Sequence, residues 1–182
     1  MSYTIPNLLT LLRICLIPLL VVVYFSSIPH AMPIAALIFA LAGITDLLDG
    51  YLARKLDQTS AFGAFLDPVA DKLIVASALV IVVYRHPMMQ VLIPALIIIG
   101  REITVSALRE WMAELGNRSK VAVSYLGKVK TTVQILAIVF MLWYEPLLGL
   151  PIFEIGQWLL VIAAILTVVS MLGYLRAAFR SD

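Results

Sequence analysis

The stretch PIAALIFALAGITDLLDGYLARKLDQTSAFGAFLDPVADKLIVASALVIVVY, residues 33–84, places four aspartates, in addition to Asp57 of the predicted loop, between two strongly apolar segments. Each segment is long enough to contribute to a membrane helix, which needs about 20 mostly apolar residues. The acids are Asp46, Asp49, Asp67 and Asp71. Ionisable groups inside a bilayer cost about 2.5 kcal/mol or more each unless they face one another or water. The stretch therefore predicts an all-α membrane protein whose helix bundle encloses a polar cavity.

The composition of the whole chain fits a membrane protein. Of its 182 residues 63% are hydrophobic, and its mean hydropathy is +1.04, so we predict one integral membrane domain over residues 1–182. The net charge of +2 is too small to indicate a nucleic-acid partner. A lone Cys15 cannot form an internal disulfide, and the N-terminus lacks the basic leader and cleavage site of a removable signal peptide.

Apolar runs of membrane-spanning length recur six times between segments rich in Pro, Gly, Ser and charge. The predicted spans are 8–27, 33–54, 61–84, 88–112, 125–144 and 153–175. Lys and Arg concentrate in the second, fourth and C-terminal connections, and positive charge is retained in the cytoplasm. The sequence therefore predicts six spans, with both termini and the cavity mouth on the cytoplasmic side.

The segment IPNLLTLLR, residues 5–13, has two interpretations. Its leucines alternate with the more polar Asn7, Thr10 and Arg13, as expected for a short interfacial helix lying along the headgroup layer. The same pattern also suits the polar first turns of the first span.

The charged residues of separate spans are predicted to share one depth. At 1.5 Å per residue, Asp46 lies about 20 Å from the outer boundary, and similar counts apply to Asp71, Arg101, Glu102 and Lys130. Asp46 and Asp49 share one helix face, as do Asp67 and Asp71. A short connection makes the second and third helices predicted antiparallel neighbours, so the four acids should converge.

Four neighbouring carboxylates in low dielectric repel one another and require bound cations. Oxygen ligands favour Mg²⁺, Mn²⁺ or Ca²⁺ over zinc. His30 and His86 fall in predicted outer loops, and neither is placed to form a His-based metal site.

The spacing of the acids carries a family resemblance. Residues 46–71 have the form D-x-x-D-G-x-x-A-R, eight residues, G-x-x-x-D-x-x-x-D, which matches the signature of the CDP-alcohol phosphatidyltransferases. The flanking segments IPNLLTLLR, REITVSALREWMAELG and GKVKTT resemble those of bacterial members that use glycerol 3-phosphate. The resemblance implies transfer of the phosphatidyl group of CDP-diacylglycerol to sn-glycerol 3-phosphate, giving phosphatidylglycerophosphate and CMP. It also implies a bacterial cytoplasmic membrane location and a homodimer.

The resemblance also implies site residues. Two Mg²⁺ or Mn²⁺ ions would be held by Asp46, Asp49, Asp67 and Asp71, with Asp71 as the base that takes the proton of the attacking hydroxyl. CDP-diacylglycerol would be bound by Asp49, Gly50, Ala53, Arg54 and Gly63.

The acceptor carries its own phosphate and requires a second anion site. The candidates for glycerol-phosphate binding are Arg118, Lys128, Lys130 and Arg101, each of which could instead be a solvated or paired surface charge. Arg109 and Lys120 are predicted to lie on the surface.

The sequence leaves two alternatives open. The same chemistry could use serine, inositol phosphate or phosphatidylglycerol as acceptor. A cation transporter also uses intramembrane carboxylates, although the almost wholly apolar outer halves of the spans offer no outward route.

Overall fold

Six α-helices form the described part of the chain. The computed structural model describes the backbone of residues 5–55, 61–114 and 125–178, and within these ranges the side chains of 7–46, 63, 65–114, 129–173 and 175. The helices are α1 (Ile5–Tyr24), α2 (Ala31–Lys55), α3 (Ala61–Arg85), α4 (Met89–Glu114), α5 (Tyr125–Trp143) and α6 (Ile152–Ala178). Each predicted span corresponds to one helix, with ends that agree within three residues.

The prediction of an all-α membrane protein is confirmed. In the described ranges α1, α4 and α6 contain apolar stretches long enough to cross a bilayer, namely Asn7–Tyr24, Met89–Glu114 and Ile152–Gly173. The apolar stretches of α2 and α5, Ala31–Asp46 and Val129–Trp143, are shorter. The number of spans therefore stays a prediction.

The N-terminal segment forms the first turns of α1, which is one continuous helix from Ile5 to Tyr24. The expectation of a separate interfacial helix is therefore wrong for residues 5–13. Thr10 and Arg13 are fully buried, and Leu8 and Leu12 face outward. The leucines thus occupy the lipid side and the polar residues the protein side, because helix contacts inside can satisfy polar groups that lipid cannot.

α1 lies against both α2 and α3, whereas α2 and α3 contact each other only slightly. Within the described residues, the predicted neighbours α2 and α3 are thus joined by few direct contacts, while both pack against α1. A helix inserted at their side places a third set of side chains next to the two acidic segments. This arrangement determines the composition of the cavity described below.

α5 and α6 pack closely through small residues. Ala137, Ala163 and Ala164 are almost wholly buried, and small side chains let membrane helices approach one another. At Gly156 of α6, a Cβ would lie 2.8 Å from Met141 Cγ and 2.9 Å from Phe140 Cβ. The contact requires glycine because the neighbouring atoms leave no room for a methyl group.

Gly156→Ala should destabilise the protein by about 1–3 kcal/mol, because overpacking a tight contact forces neighbouring atoms apart. Thermal unfolding in one detergent would measure the change. Gly173→Ala in the same helix is the matched control, since a Cβ added there would have no atom within 4 Å, and it should be neutral or slightly stabilising. Equal melting temperatures for the two variants would show that the contact between α5 and α6 at Gly156 accommodates a methyl group.

At the end of the bundle away from the acids, His86 packs against two aromatic rings. Its ring centroid lies 5.0 Å from that of Tyr144 and 4.3 Å from that of Phe153. Burial, and secondarily the charge of Arg85, lowers the pKa of His86. A neutral His86 thus packs with Tyr144 and Phe153 in one ring cluster.

Candidate active site

A cavity of about 500 Å³ lies among α1 to α5 and is open on one side. Apolar residues of α2 and α3, including Phe39 and Ile74, form part of its wall. The polar residues of the wall are Arg13, Asp46, Asp67, Asp71, Lys72, Glu102, Ser106, Arg109, Glu110, Thr131 and Gln134. A polar space with both charge signs inside an apolar bundle is the arrangement expected for a binding site.

The acidic wall comes from two helices. Asp67 and Asp71 are four residues apart on α3 and therefore share a face, with Pro68 inside the helix between them. Asp46 of α2 lines the same cavity. The structure thus brings three of the four predicted acids together, while the Asp49 side chain lies outside the described residues.

Arg13 of α1 joins the two acidic helices. Its Nη1 lies 3.2 Å from Asp46 Oδ1 and donates a hydrogen bond to Asp71 Oδ1. The Arg13 side chain is only 1% exposed, whereas those of Asp46 and Asp71 are 42% and 43% exposed. A buried guanidinium is strongly stabilised by carboxylates, so Arg13 acts as the internal counter-ion of the acids.

Thr10, one turn before Arg13, binds the remaining described acid. Its hydroxyl donates a hydrogen bond of 2.5 Å to Asp67 Oδ1. Asn7, Thr10 and Arg13 recur every three residues and are all buried, so they form one polar face of α1. The sequence shows this spacing, but periodicity does not reveal whether a polar helix face contacts lipid headgroups or protein. The contacts of Thr10 and Arg13 with the acids were therefore not predicted.

A second group of charges at the cavity wall is an ion-pair network around Glu102 of α4. Lys130 Nζ of α5 donates a hydrogen bond to Glu102 Oε1, and Arg101 Nη1 lies 3.4 Å from the same oxygen. Arg101 Nη2 also contacts Ser170 Oγ of α6 at 3.3 Å. Charges from α4 and α5 therefore meet at one level, as their depths in the sequence predict, and α6 adds a hydroxyl group.

The predicted acceptor-phosphate residues occupy different surroundings. Lys130 and Arg101 are buried and contact Glu102, which itself lines the cavity. Arg118 lies outside the described residues, and so does the side chain of Lys128. Their binding of an acceptor phosphate stays a prediction.

Two cations at the cavity wall were not identified as site residues from the sequence. Arg109 lines the cavity beside Glu110, so its predicted surface position is wrong. Lys72 lines it next to Asp71. Arg109 follows the segment ITVSAL, and Lys72 comes directly after Asp71. Neither has a spacing of its own that predicts a site residue, so only the packing of α3 and α4 reveals their position.

The donor set fits a hard divalent cation. Carboxylate oxygens are the ligands that Mg²⁺ and Mn²⁺ prefer, and three carboxylates border one cavity. Among the described side chains no three acids or histidines lie close enough to form a metal cluster, and Arg13 stands between Asp46 and Asp71. A metal ion would therefore share or replace the contacts that Arg13 makes with these oxygens.

The remaining residues predicted to bind CDP-diacylglycerol follow Asp46 on α2 or precede Asp67 on α3. Gly50, Ala53 and Arg54 belong to α2, and their side-chain positions lie outside the described residues. Gly63 is buried in α3. Their contribution to nucleotide binding stays a prediction.

Comparison with known proteins gives a consistent result. Residues 3–169 match the family model described as CDP-alcohol phosphatidyltransferase. The chain is 53% identical to the CDP-diacylglycerol--glycerol-3-phosphate 3-phosphatidyltransferase of Salmonella choleraesuis (strain SC-B67), over 100% of this chain and 98% of the relative. It is 52% identical to the protein of the same name from Haemophilus influenzae, over 98% of this chain and 95% of the relative.

Proposed function

Because the chain belongs to the CDP-alcohol phosphatidyltransferase family, we propose that it transfers the phosphatidyl group of CDP-diacylglycerol to sn-glycerol 3-phosphate. The products are phosphatidylglycerophosphate and CMP. The observation that carries this choice is the identity of 51–53% with glycerol-3-phosphate 3-phosphatidyltransferases over the full chain. The geometry supports the chemistry, since one cavity combines carboxylates with Arg13, Lys72 and Arg109.

The reaction exchanges one phosphorus–oxygen bond for another. A hydroxyl oxygen of glycerol 3-phosphate forms a bond to the phosphorus that carries the diacylglycerol, and the bond from that phosphorus to the CMP oxygen breaks. The bonding electrons leave with CMP, and the hydroxyl proton passes to a base. We assign this base to Asp71, by the family pattern and because its carboxylate borders the cavity.

Asp46, Asp49, Asp67 and Asp71 would hold the two Mg²⁺ or Mn²⁺ ions of the site. When bound, such ions neutralise the diphosphate and stabilise charge on the departing CMP oxygen. Thr10 fixes the orientation of Asp67 through its hydrogen bond. Arg13 holds Asp46 and Asp71 at one level, so the acidic wall is organised before any ligand binds.

Asp71 can serve as base only through an oxygen that faces the substrate. Its Oδ1 accepts a hydrogen bond from Arg13, and a carboxylate has two oxygens with several lone pairs. Arg13 thereby orients the carboxylate across the cavity. A group fixed in this way needs little reorganisation when the acceptor arrives.

The phosphate of the acceptor would bind to cations of α4, α5 and their connection. We propose Arg118, Lys128, Lys130 and Arg101 for this part, as the sequence suggests, and the cavity adds Arg109. Lys130 and Arg101 bind Glu102, so a bound phosphate would compete with that carboxylate for them.

Lys130→Met should raise the KM for glycerol 3-phosphate about 10-fold, because a charge-assisted hydrogen bond to phosphate is lost. The KM for CDP-diacylglycerol should change much less. Steady-state CMP release, with each substrate varied in turn, would measure both constants. Glu102→Gln is the companion variant, since it removes the carboxylate partner but keeps Lys130. Equal rises in the KM for both substrates in Lys130→Met would contradict the assignment of Lys130 to the acceptor phosphate.

The chain is a membrane protein, and we place it in the bacterial cytoplasmic membrane with both termini and the cavity mouth in the cytoplasm. The distribution of Lys and Arg among the connections supports this orientation. We also propose a homodimer, as the family resemblance implies.

The proposed reaction is tested by incubating the purified protein with CDP-diacylglycerol and one acceptor at a time. Glycerol 3-phosphate should give a lipid with the mass of phosphatidylglycerophosphate, with one CMP released per product and with dependence on Mg²⁺ or Mn²⁺. If only serine or inositol phosphate gave a lipid product, that compound would be the acceptor in place of glycerol 3-phosphate. Ion flux in proteoliposomes without lipid product would show that the protein is a transporter and not a phosphatidyltransferase.

A further inference from the structure

One side-chain amide oxygen at the cavity wall has no hydrogen-bond partner among the described residues. Gln134 of α5 is 3% exposed, and it borders the cavity together with Thr131. Its Oε1 is buried and has no hydrogen-bond partner in the described part of the chain. Buried polar atoms are nearly always paired, so an unpaired one at a cavity wall indicates a partner that the described protein residues do not supply.

The surroundings of Gln134 favour one kind of ligand group. An amide oxygen accepts a hydrogen bond and therefore requires a donor, which a fully ionised phosphate does not have. A hydroxyl can both donate and accept, so it matches the amide in either orientation. Gln134 lies one helical turn after Lys130 on α5, and both Gln134 and Glu102, the ion-pair partner of Lys130, line the cavity. This is the part of the cavity that the proposed function gives to the acceptor.

Glycerol 3-phosphate has two hydroxyls, and only one is consumed in the transfer. We propose that Gln134 binds the second, unreacting hydroxyl of the acceptor and so sets specificity for a glycerol-type phosphate. The inference rests on the proposed function. Gln134 acts here as a binding residue for the acceptor, because its amide contacts the substrate at a distance from the phosphorus under attack.

The test compares two acceptors on two proteins. 3-Hydroxypropyl phosphate keeps the primary hydroxyl and the phosphate of glycerol 3-phosphate but lacks the secondary hydroxyl. The wild-type protein should prefer glycerol 3-phosphate in kcat/KM by about 10-fold to 100-fold, because a site built to bind a hydroxyl discriminates against its absence. Gln134→Met, of similar length, should lower kcat/KM for glycerol 3-phosphate by about the same factor and leave the shorter acceptor almost unchanged.

Gln157→Leu is the matched control, since Gln157 pairs with Gln90 on exposed helix surface and should leave the preference intact. Equal losses on both acceptors for Gln134→Met would indicate a structural role and overturn the proposal. If the loss caused by Gln134→Met disappeared when dCDP-diacylglycerol was the donor, the amide would bind the ribose hydroxyl of the donor. That result would also overturn the proposal.

Two further results keep the outcomes distinct. If Gln134→Met does not fold, the inference can still be tested with Gln134→Leu and with the acceptor preference of the wild-type protein. A wild-type protein that uses both acceptors equally would refute the inference. If the wild-type protein forms no phosphatidylglycerophosphate, the proposed function itself fails. A wild-type protein that forms this product without preferring the hydroxylated acceptor contradicts the inference alone.

Discussion

Asp67→Asn and Asp71→Asn should each lower kcat by about 100-fold or more, while the protein still inserts into the membrane. Each substitution keeps the shape of the side chain but removes a negative charge from the cavity wall, where preorganised charge usually contributes a factor of this size or larger. CMP release by purified protein in detergent, with both substrates saturating, would measure the loss. Near-normal activity in both variants would show that the reaction takes place elsewhere.

The two variants should differ in their response to metal. Thr10 orients Asp67, and an asparagine there keeps one oxygen ligand, so higher Mn²⁺ should restore part of its activity. Asp71→Asn removes the proposed base, and added metal cannot replace a proton acceptor. If added Mn²⁺ restored activity only to Asp71→Asn, the assignments would be reversed, with Asp67 as the base and Asp71 as the metal ligand.

Glu154→Gln is the matched control for both substitutions. Glu154 lies in the first turn of α6 and is exposed, on the side of His86 rather than the acids. The substitution also removes one negative charge from the protein, so unchanged activity in this variant would show that net charge is not the cause of the loss.

The helices of this protein were predictable because hydropathy and turn residues determine them locally. Pro29 and Pro87, for example, lie between helices whose ends agree with the predicted spans. The acids were predictable too, since Asp46, Asp67 and Asp71 are too short to reach the interface from mid-helix and must face a common interior.

The neighbours of the acids were harder to predict, because helix pairing depends on contacts between distant segments. Nothing in the sequence shows that α1 packs against both α2 and α3, so Arg13 was considered only as one of the polar residues of segment 5–13. Arg109 was similarly placed on the surface. A basic residue near a helix end can extend to water or turn inward, and its own sequence surroundings do not distinguish these cases.

Arg13→Gln should make the metal-free protein less stable by about 2 kcal/mol, a value typical of hydrogen bonds to charged groups. The guanidinium is buried and lies against both Asp46 and Asp71, so its loss leaves two carboxylates without their counter-ion. Water reaches both acids, which keeps the effect below that of a fully buried pair. Thermal unfolding in detergent with a chelator would measure the change.

Added Mn²⁺ should raise the melting temperature of Arg13→Gln more than that of the wild-type protein. In the variant the ion meets carboxylate oxygens that Arg13 no longer occupies, whereas in the wild type it must displace or share the Arg13 contacts, and ligand-induced stabilisation grows with affinity. Arg13→Lys should lie between the two, because lysine keeps the charge but cannot span both acids as a planar fork.

Arg85→Gln, at the exposed C-terminal end of α3, is the control for loss of a positive charge and should change neither measurement. If Arg13→Gln matches the wild-type protein with chelator present, Arg13 is not the counter-ion of the acids. If it is destabilised but gains no more from Mn²⁺ than the wild type does, the ion binds away from Asp46 and Asp71. Because these outcomes concern stability and metal binding rather than turnover, they separate the organisation of the acidic wall from its catalysis.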